Sequence, residues 1–241
     1  MPDPANPLLA NPLLDGPRWG PRTPGPAQQL VILCHGLGAD GQDLIDLAPH
    51  WGATLPHAAF AAPDAPESCD LSPFGRQWFS VGDRSPAHLA IGIAVARQAL
   101  DRFIDAELAR LALPPDAWAI MGFSQGAMTA LYTALRRPAA PRPTGPRPTA
   151  PRPAGPRGVL AFSGALVAPD RLAEATARPP ILIVHGEDDG VVPVERSRTA
   201  EATLLSAGFD VQSLYCPRLG HGIDEAGLST AALFLQRIFA S

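Results

Sequence analysis

A serine stands between two glycines in the segment GFSQG, residues 122–126, directly after an apolar run. The pattern is G-x-S-x-G, whose glycines leave room for a sharp strand-to-helix turn that projects the serine hydroxyl from the edge of a sheet. The preceding residues 117–121 predict a buried strand, and residues 125–135 predict a helix. Because the pattern has this required context, we interpret Ser124 as a nucleophile rather than as an incidental turn serine.

A serine hydroxyl needs a base to take its proton, and the base needs a carboxylate to orient it. His221 lies in a glycine-flanked loop after the last predicted strand, and an acidic cluster at 187–189 follows the predicted strand 181–185. Taken singly, these could be an exposed loop histidine and an acidic turn that caps the next helix. The order Ser, Asp, His along the chain is the one found in α/β-hydrolases, so the three together favour a catalytic triad.

A glycine-rich turn follows the first predicted strand, residues 30–34, and reads HGLGADG over residues 35–41. Such a turn aims backbone N–H groups at a developing oxyanion. The N–H of Gln125, next to the nucleophile, would complete the oxyanion hole. Backbone donors need no particular side chain at these positions.

Apolar runs alternate with amphipathic segments between these motifs. The pattern predicts further strands at 58–62, 159–163 and 210–216, and helices at 43–51, 86–111, 194–207 and 225–239, with Ser85 as an N-cap. This alternation predicts the α/β class: a mostly parallel central sheet with helices on both faces. The functional site is expected beyond the carboxyl ends of the strands.

Two proline-rich segments flank or interrupt this pattern. Residues 1–26 are predicted to be an extended arm, and residues 27–241 a single domain without a cap domain. Residues 137–157 are predicted to be a disordered insertion, because the stretch from 136 to 157 contains eight prolines and six arginines. The insertion is either a tolerated surface loop, which we favour, or a proline-rich docking motif for a partner.

Composition excludes several classes of protein. The chain has 241 residues and a formal net charge of −4, and outside the insertion it is acidic, which argues against a nucleic-acid partner. Its 3 cysteines form no CxxC metal or redox pair. The serine chemistry predicted above implies neither a metal nor a cofactor. No signal peptide and no apolar run of about 18 residues is found, so we expect a cytoplasmic protein without stable membrane insertion.

The motifs taken in order resemble the phospholipase/carboxylesterase family of α/β-hydrolases, which contains acyl-protein thioesterases and small bacterial carboxylesterases. The resemblance spans residues 29–240 apart from the insertion, and the segments that carry it are HGLGADGQDLIDLAP (35–49), APDAP (62–66), RQWF (76–79), GFSQGAM (122–128), FSGAL (162–166), HGEDDGVVP (185–193) and GHGI (220–223).

The resemblance implies a role for each site residue. Ser124 would be the nucleophile, Asp189 the triad acid and His221 the base. The oxyanion donors would be the N–H groups of Leu37 and Gln125, and Trp78 would lie near the acyl pocket and bind substrate. Gly222 stands where many members have an acidic residue, and the insertion is not a family feature.

We therefore predict a serine hydrolase that cleaves small-molecule carboxylic esters or thioesters through an acyl-enzyme. The alternatives are a dienelactone-hydrolase-like enzyme, which would use a cysteine where Ser124 stands, and a catalytically inactive binding module of the same fold. The acyl chain length, the physiological substrate and a homodimeric state are left open by the sequence.

Overall fold

The computed structural model describes residues 13–137 and 155–240. Its elements follow the chain in this order: β1 (Arg18–Trp19), β2 (Gln29–Cys34), α1 (Gly41–Ile45), α2 (Ala48–Thr54), β3 (Ala58–Ala61), β4 (Glu67–Ser68), β5 (Arg76–Gln77), α3 (Pro86–Arg110), β6 (Trp118–Phe123), α4 (Gln125–Arg136), β7 (Val159–Phe162), a 3₁₀ helix (Pro169–Glu174), β8 (Ile181–Gly186), α5 (Glu195–Ser206), β9 (Val211–Cys216) and α6 (Glu225–Ala240).

Seven strands form one sheet in the order β1-β3-β2-β6-β7-β8-β9. Every neighbouring pair is parallel except β1 and β3, which are antiparallel. The carboxyl ends of β2, β6, β7 and β8 therefore lie at one edge of the sheet. The predicted mostly parallel sheet is confirmed.

Helices cover both faces of this sheet, because successive strand residues point to opposite sides. On β2, Leu30 and Ile32 pack with α3 and α4, whereas Val31 and Leu33 pack with α1, α2 and α6. All four side chains are fully buried. A strand covered on both faces is apolar throughout, which is why the apolar runs alone located the central strands.

The predicted helix over residues 43–51 was wrong in its extent. The structure has two short helices there, α1 and α2, and Pro49 lies in the first turn of α2. Proline has no N–H and fits only the first turn of a helix. A continuous helix through this position would clash with the proline ring, so the chain restarts.

The described end of the predicted arm joins the sheet. Arg18 and Trp19 pair with Ala61 and Phe60 of β3. The Arg18 guanidinium donates from Nε to Oε1 of Glu107 on α3 at 2.9 Å, and that carboxylate has almost no exposed surface. Residues 1–12 lie outside the described residues.

The described ends of the insertion lie at the amino edge of the sheet, where α4 finishes and β7 begins. The guanidinium of Arg137 pairs with Asp101 at 2.9 Å and with Asp105, and the N–H of Arg157 donates to the carbonyl of Trp118 at 2.7 Å. Both ends are therefore anchored on the body, far from the carboxyl edge. Residues 138–154 of the predicted insertion lie outside the described residues.

Apart from the helices that cover the faces of the sheet, the connections between its strands hold only the β4–β5 hairpin and the 3₁₀ helix, so residues 13–137 and 155–240 contain no cap domain. Among the same residues, no helix is both long and apolar enough to cross a membrane.

Candidate active site

Ser124 occupies a strained turn between β6 and α4. Its φ is +55°, a left-handed value that is rare for residues other than glycine. The two flanking glycines are sterically required: a Cβ at Gly122 would collide with the carbonyl oxygen of Gly126, and one at Gly126 with that of Cys34. The Ser124 N–H donates to the carbonyl of Phe162 on β7 at 2.8 Å, which ties this elbow to the neighbouring strand.

His221 and Asp189 meet beside this elbow. The Nδ1 atom of His221 lies 2.7 Å from Oδ2 of Asp189, and the Asp189 side chain has no exposed surface. Because a carboxylate accepts, Nδ1 carries the proton and Nε2 is left free to act as a base. Asp188, the preceding residue, is exposed.

The Asp189 carboxylate is held ionised. Its Oδ1 accepts the N–H groups of Val191 and Val192, each at 2.8 Å. Burial alone would raise the pKa of Asp189, but the hydrogen bonds from His221 and from these two N–H groups outweigh it and hold that pKa below its ordinary value. The carboxylate can therefore orient the imidazole and stabilise its protonated form.

The imidazole of His221 lies over the residue that precedes the serine. The centroids of the Phe123 and His221 rings are 4.7 Å apart. Within the described residues, no hydrogen bond joins Ser124 to His221. Unliganded hydrolases often show this catalytic hydrogen bond long or misaligned, and it tightens when substrate binds.

The turn after β2 packs directly on the elbow. A Cβ at Gly36 would lie 3.5 Å from Cβ of Ser124, so the segment that leads into Leu37 packs against the serine. Gly38, with φ +82°, donates its N–H to the carbonyl of Arg76 at 2.8 Å, which fixes the turn. In the described part of the chain, the N–H groups of Leu37 and Gln125 have no protein acceptor and are free to bind an oxyanion.

The structure places Trp78 beneath the site rather than on its surface. Its side chain is fully buried, and its indole N–H donates to the carbonyl of His35 at 2.9 Å. Its backbone N–H donates to the Gln125 side-chain oxygen at 2.8 Å, and Gln125 donates in turn to the carbonyl of Phe79 at 2.7 Å. Trp78 thus braces the two segments that carry the free N–H groups.

The buried histidine His35 supports the same turn. Nε2 of His35 accepts the N–H of Ala65 at 3.0 Å, so Nδ1 carries the proton and donates to the carbonyl of Gly36 at 2.7 Å. Burial lowers the pKa of His35, which keeps the ring neutral.

The hairpin formed by β4 and β5 supplies an apolar rim. Leu71 and Phe74 at its tip expose 62% and 79% of their surface, the latter being the largest exposed fraction among the large apolar side chains described. Gly75 packs so closely on Gly38 that a Cβ would collide with the Gly38 carbonyl oxygen. The rim therefore adjoins the turn that carries Leu37.

His185, to which the sequence motifs gave no role, lies against Asp189 in the structure. Its Nε2 lies 3.0 Å from Oδ2 of Asp189, with both side chains fully buried. The sequence signal that could have indicated this contact is the segment HGEDDGVVP (185–193), in which His185 stands four residues before Asp189 at the start of the same turn. No group of three or more potential metal ligands occurs among residues 13–137 and 155–240.

The mostly parallel sheet, the serine elbow at its carboxyl edge and the adjoining histidine–aspartate pair define an α/β-hydrolase. The sequence profile of the family described as Phospholipase/Carboxylesterase matches residues 22–239, so the chain belongs to that family. This confirms the family resemblance and the fold class predicted from the sequence.

Known relatives agree with this membership. The chain is 28% identical to esterase YpfH of Escherichia coli (strain K12), over 86% of this chain and 81% of the relative. It is 29% identical to acyl-protein thioesterase 1 of Schizosaccharomyces pombe, over 88% and 91%. It is also 25% identical, over 88% and 86%, to a probable inactive carboxylesterase of Oryza sativa subsp. japonica.

Among solved structures, that of esterase PE8 superposes with a TM-score of 0.82 at 39% identity, covering 93% of this chain and 99% of that one. The protein is a carboxylic ester hydrolase.

Proposed function

We propose that Ser124, His221 and Asp189 form a catalytic triad that hydrolyses carboxylic esters or thioesters through an acyl-enzyme. The observation that carries the proposal is the 2.7 Å hydrogen bond between His221 and a buried Asp189, beside a serine held at a positive φ. Ser124 follows β6, Asp189 follows β8 and His221 follows β9. The three side chains can meet because these strands end at the same edge of one sheet.

The reaction follows from these positions. Nε2 of His221 takes the hydroxyl proton of Ser124 as Oγ attacks the acyl carbon, and the carbonyl oxygen becomes an oxyanion. The N–H groups of Leu37 and Gln125 would donate to this oxyanion. The bond to the leaving oxygen or sulfur then breaks, and His221 returns the proton to it. Water repeats the sequence on the acyl-enzyme and frees Ser124.

Trp78 fits this scheme as a positioning residue. Its buried indole contacts the carbonyl of His35 and its backbone contacts Gln125, so it links the two segments that carry the oxyanion donors. A direct contact between Trp78 and substrate remains a prediction.

We further propose short to medium acyl chains as the preferred substrates. The site lies open at the sheet edge, with the exposed apolar side chains of Leu71 and Phe74 on the adjoining hairpin. Two exposed apolar side chains beside an uncapped site can contact an acyl chain without a lipid interface, and this supports short to medium chains presented in solution.

The domain organisation proposed from the sequence fits the same scheme, with the arm and the insertion as additions to one catalytic domain. The cytoplasmic location and the homodimer stay predictions.

A covalent probe tests the triad. A fluorophosphonate should label the protein at Ser124, and Ser124→Ala should abolish both labelling and hydrolysis of p-nitrophenyl acetate. Ser163→Ala is the matched control: Ser163 also has a positive φ, +49°, at the end of the neighbouring strand, but it is fully buried.

Labelling at another residue, or full activity in Ser124→Ala, would refute the proposed nucleophile. A folded protein that neither hydrolyses esters nor reacts with the probe would favour the inactive binding module. The presence of serine at 124, with histidine and aspartate already hydrogen-bonded, supports the active enzyme.

A further inference from the structure

We propose that His185 is a positioning residue of the triad, which holds the turn that carries Asp189 and thereby fixes the direction of the His221 imidazole. The inference rests on the proposed function, since it needs Asp189 to be the triad acid. His185 is the penultimate residue of β8 and has only 1% of its surface exposed. It therefore touches no substrate.

The imidazole of His185 contacts the turn at two points. Its Nε2 lies 2.8 Å from the carbonyl oxygen of Val192 and 3.0 Å from Oδ2 of Asp189. Both neighbours can only accept, so Nε2 carries a proton, which is directed at Val192. Oδ2 of Asp189 thus has a ring nitrogen on each side, that of His185 at 3.0 Å and that of His221 at 2.7 Å.

The contact with Val192 closes a ring of interactions around the carboxylate. The N–H of Val192 donates to Oδ1 of Asp189, while its carbonyl accepts from His185. Holding Val192 therefore also holds the donor that orients Oδ1. Without His185, the carbonyl of Val192 loses its hydrogen bond to β8, and the carboxylate loses a neighbour on Oδ2.

The opposite side of the ring is anchored as well. Nδ1 of His185 lies 2.7 Å from Oγ of Ser197 in the first turn of α5, and that hydroxyl is 3.1 Å from the carbonyl oxygen of Gly164. If the ring is neutral, Ser197 donates to Nδ1; if it is charged, Nδ1 donates to Ser197 and Ser197 to Gly164. In both states Nε2 keeps its proton, so the orientation does not depend on ionisation.

This arrangement predicts an effect on turnover without an effect on substrate binding. An imidazole that orients a catalytic carboxylate acts like the buried partners that orient metal-bound histidines, whose loss typically costs about 10- to 100-fold. His185→Leu removes both ring nitrogens and should lower kcat by about that factor, with KM changed less than about twofold. His185→Gln retains an N–H near the Nε2 position and should recover most of kcat.

The control is Val184→Ala at the preceding position of β8. Val184 is equally buried, at 2% exposure, but packs with the α6 face of the sheet. Its truncation should lower stability and leave kcat unchanged. If His185→Leu does not fold, Ser197→Ala serves instead, because it frees the ring to turn; kcat should then fall several-fold at constant KM.

A double-mutant cycle separates this proposal from the triad itself. In an Asp189→Asn background, His185→Leu should lower kcat by no more than a further factor of about two, because the effects of residues that act as a unit are not additive. If Asp189→Asn is crippled while His185→Leu, or its substitute Ser197→Ala, keeps the kcat of the parent, the positioning role is overturned and the triad stands. If Asp189→Asn keeps full turnover, the triad assignment fails, and the role of His185 fails with it.

Discussion

The carboxylate of Asp189 lies 2.7 Å from Nδ1 of His221, whereas the carboxylate next to it in the chain, that of Asp188, is exposed to solvent. We expect Asp189→Asn to lower kcat by about 10⁴-fold, because the amide would hold the imidazole in the wrong tautomer. Asp188→Asn should cost about tenfold or less. Parallel kcat measurements on the two variants test this, and the opposite ranking would move the acid to Asp188.

The elbow glycines should tolerate no side chain. A Cβ at Gly126 meets the backbone carbonyls of Cys34 and His35, which cannot move without distorting β2. Gly126→Ala should therefore lower the free energy of unfolding by about 3 kcal/mol or more, with loss of activity. Gly222→Ala is the control, because nothing lies within 4 Å of its added Cβ. Equal urea midpoints for the two variants would contradict the close packing of Gly126 against the carbonyls of Cys34 and His35.

The contact between Arg18 and Glu107 should stabilise the whole fold. Arg18→Ala removes the donors to a buried carboxylate that keeps Arg110 as its other partner, so we expect a loss of about 1–3 kcal/mol with unchanged kcat. Arg22→Ala, at an exposed arginine of the same segment, should have no effect. Chemical denaturation of both variants measures this difference.

The effect of Arg18→Ala should depend on pH. Burial alone would raise the pKa of Glu107, but hydrogen bonds from Arg110 and Arg18 outweigh it and hold that pKa below its usual value. A carboxyl whose pKa is lowered in the folded state stabilises the fold above its unfolded pKa of about 4.3, and this contribution is lost as pH falls through the folded value. The difference between wild type and variant should thus shrink below about pH 4. A difference that grows there would show that Glu107 is not the partner that matters.

The insertion should be dispensable for catalysis. Its ends lie at the amino edge of the sheet, anchored by Arg137 and Arg157, while Ser124 lies at the carboxyl edge. Replacing residues 138–154 with a few glycines should leave kcat/KM for p-nitrophenyl acetate within about twofold, since a loop change distant from the site acts only on chain entropy. A folded deletion variant with much lower activity would contradict this.

The rate of ester hydrolysis should not depend on a lipid interface. With no cap domain over the site in the described residues, p-nitrophenyl esters should be hydrolysed best as short to medium chains below their micelle threshold. We would compare rates from acetate to palmitate. A sharp rise only above that threshold would contradict an open site.

Local patterns in the sequence were sufficient for the central strands, for the helices that follow β6, β8 and β9, and for the positions of Ser124 and His221. They failed for the single helix predicted over residues 43–51, which the structure divides into α1 and α2. A strand buried on both faces must be apolar along its whole length, and the elbow needs residues without side chains at Gly122 and Gly126. Both requirements produce patterns in contiguous residues of the sequence. Assignment of Asp189 rather than Asp188 needed the family resemblance, because the acidic cluster alone left the choice open.

The remaining features depend on contacts between residues distant in the chain. The pairing of Arg18 and Trp19 with β3 joins residues more than 40 positions apart, and a two-residue strand is too short to show a periodicity. The burial of Trp78 under the site arises only where strand ends meet at one edge of the sheet. His185 lies only four residues from Asp189, but its ring is also held by Ser197 on α5, which the fold brings to it. The residues proposed to perform the chemistry could therefore be identified from the sequence. The side chains that hold them in place became evident only in the tertiary structure, because hydrogen bonds and packing between separate elements leave no local pattern.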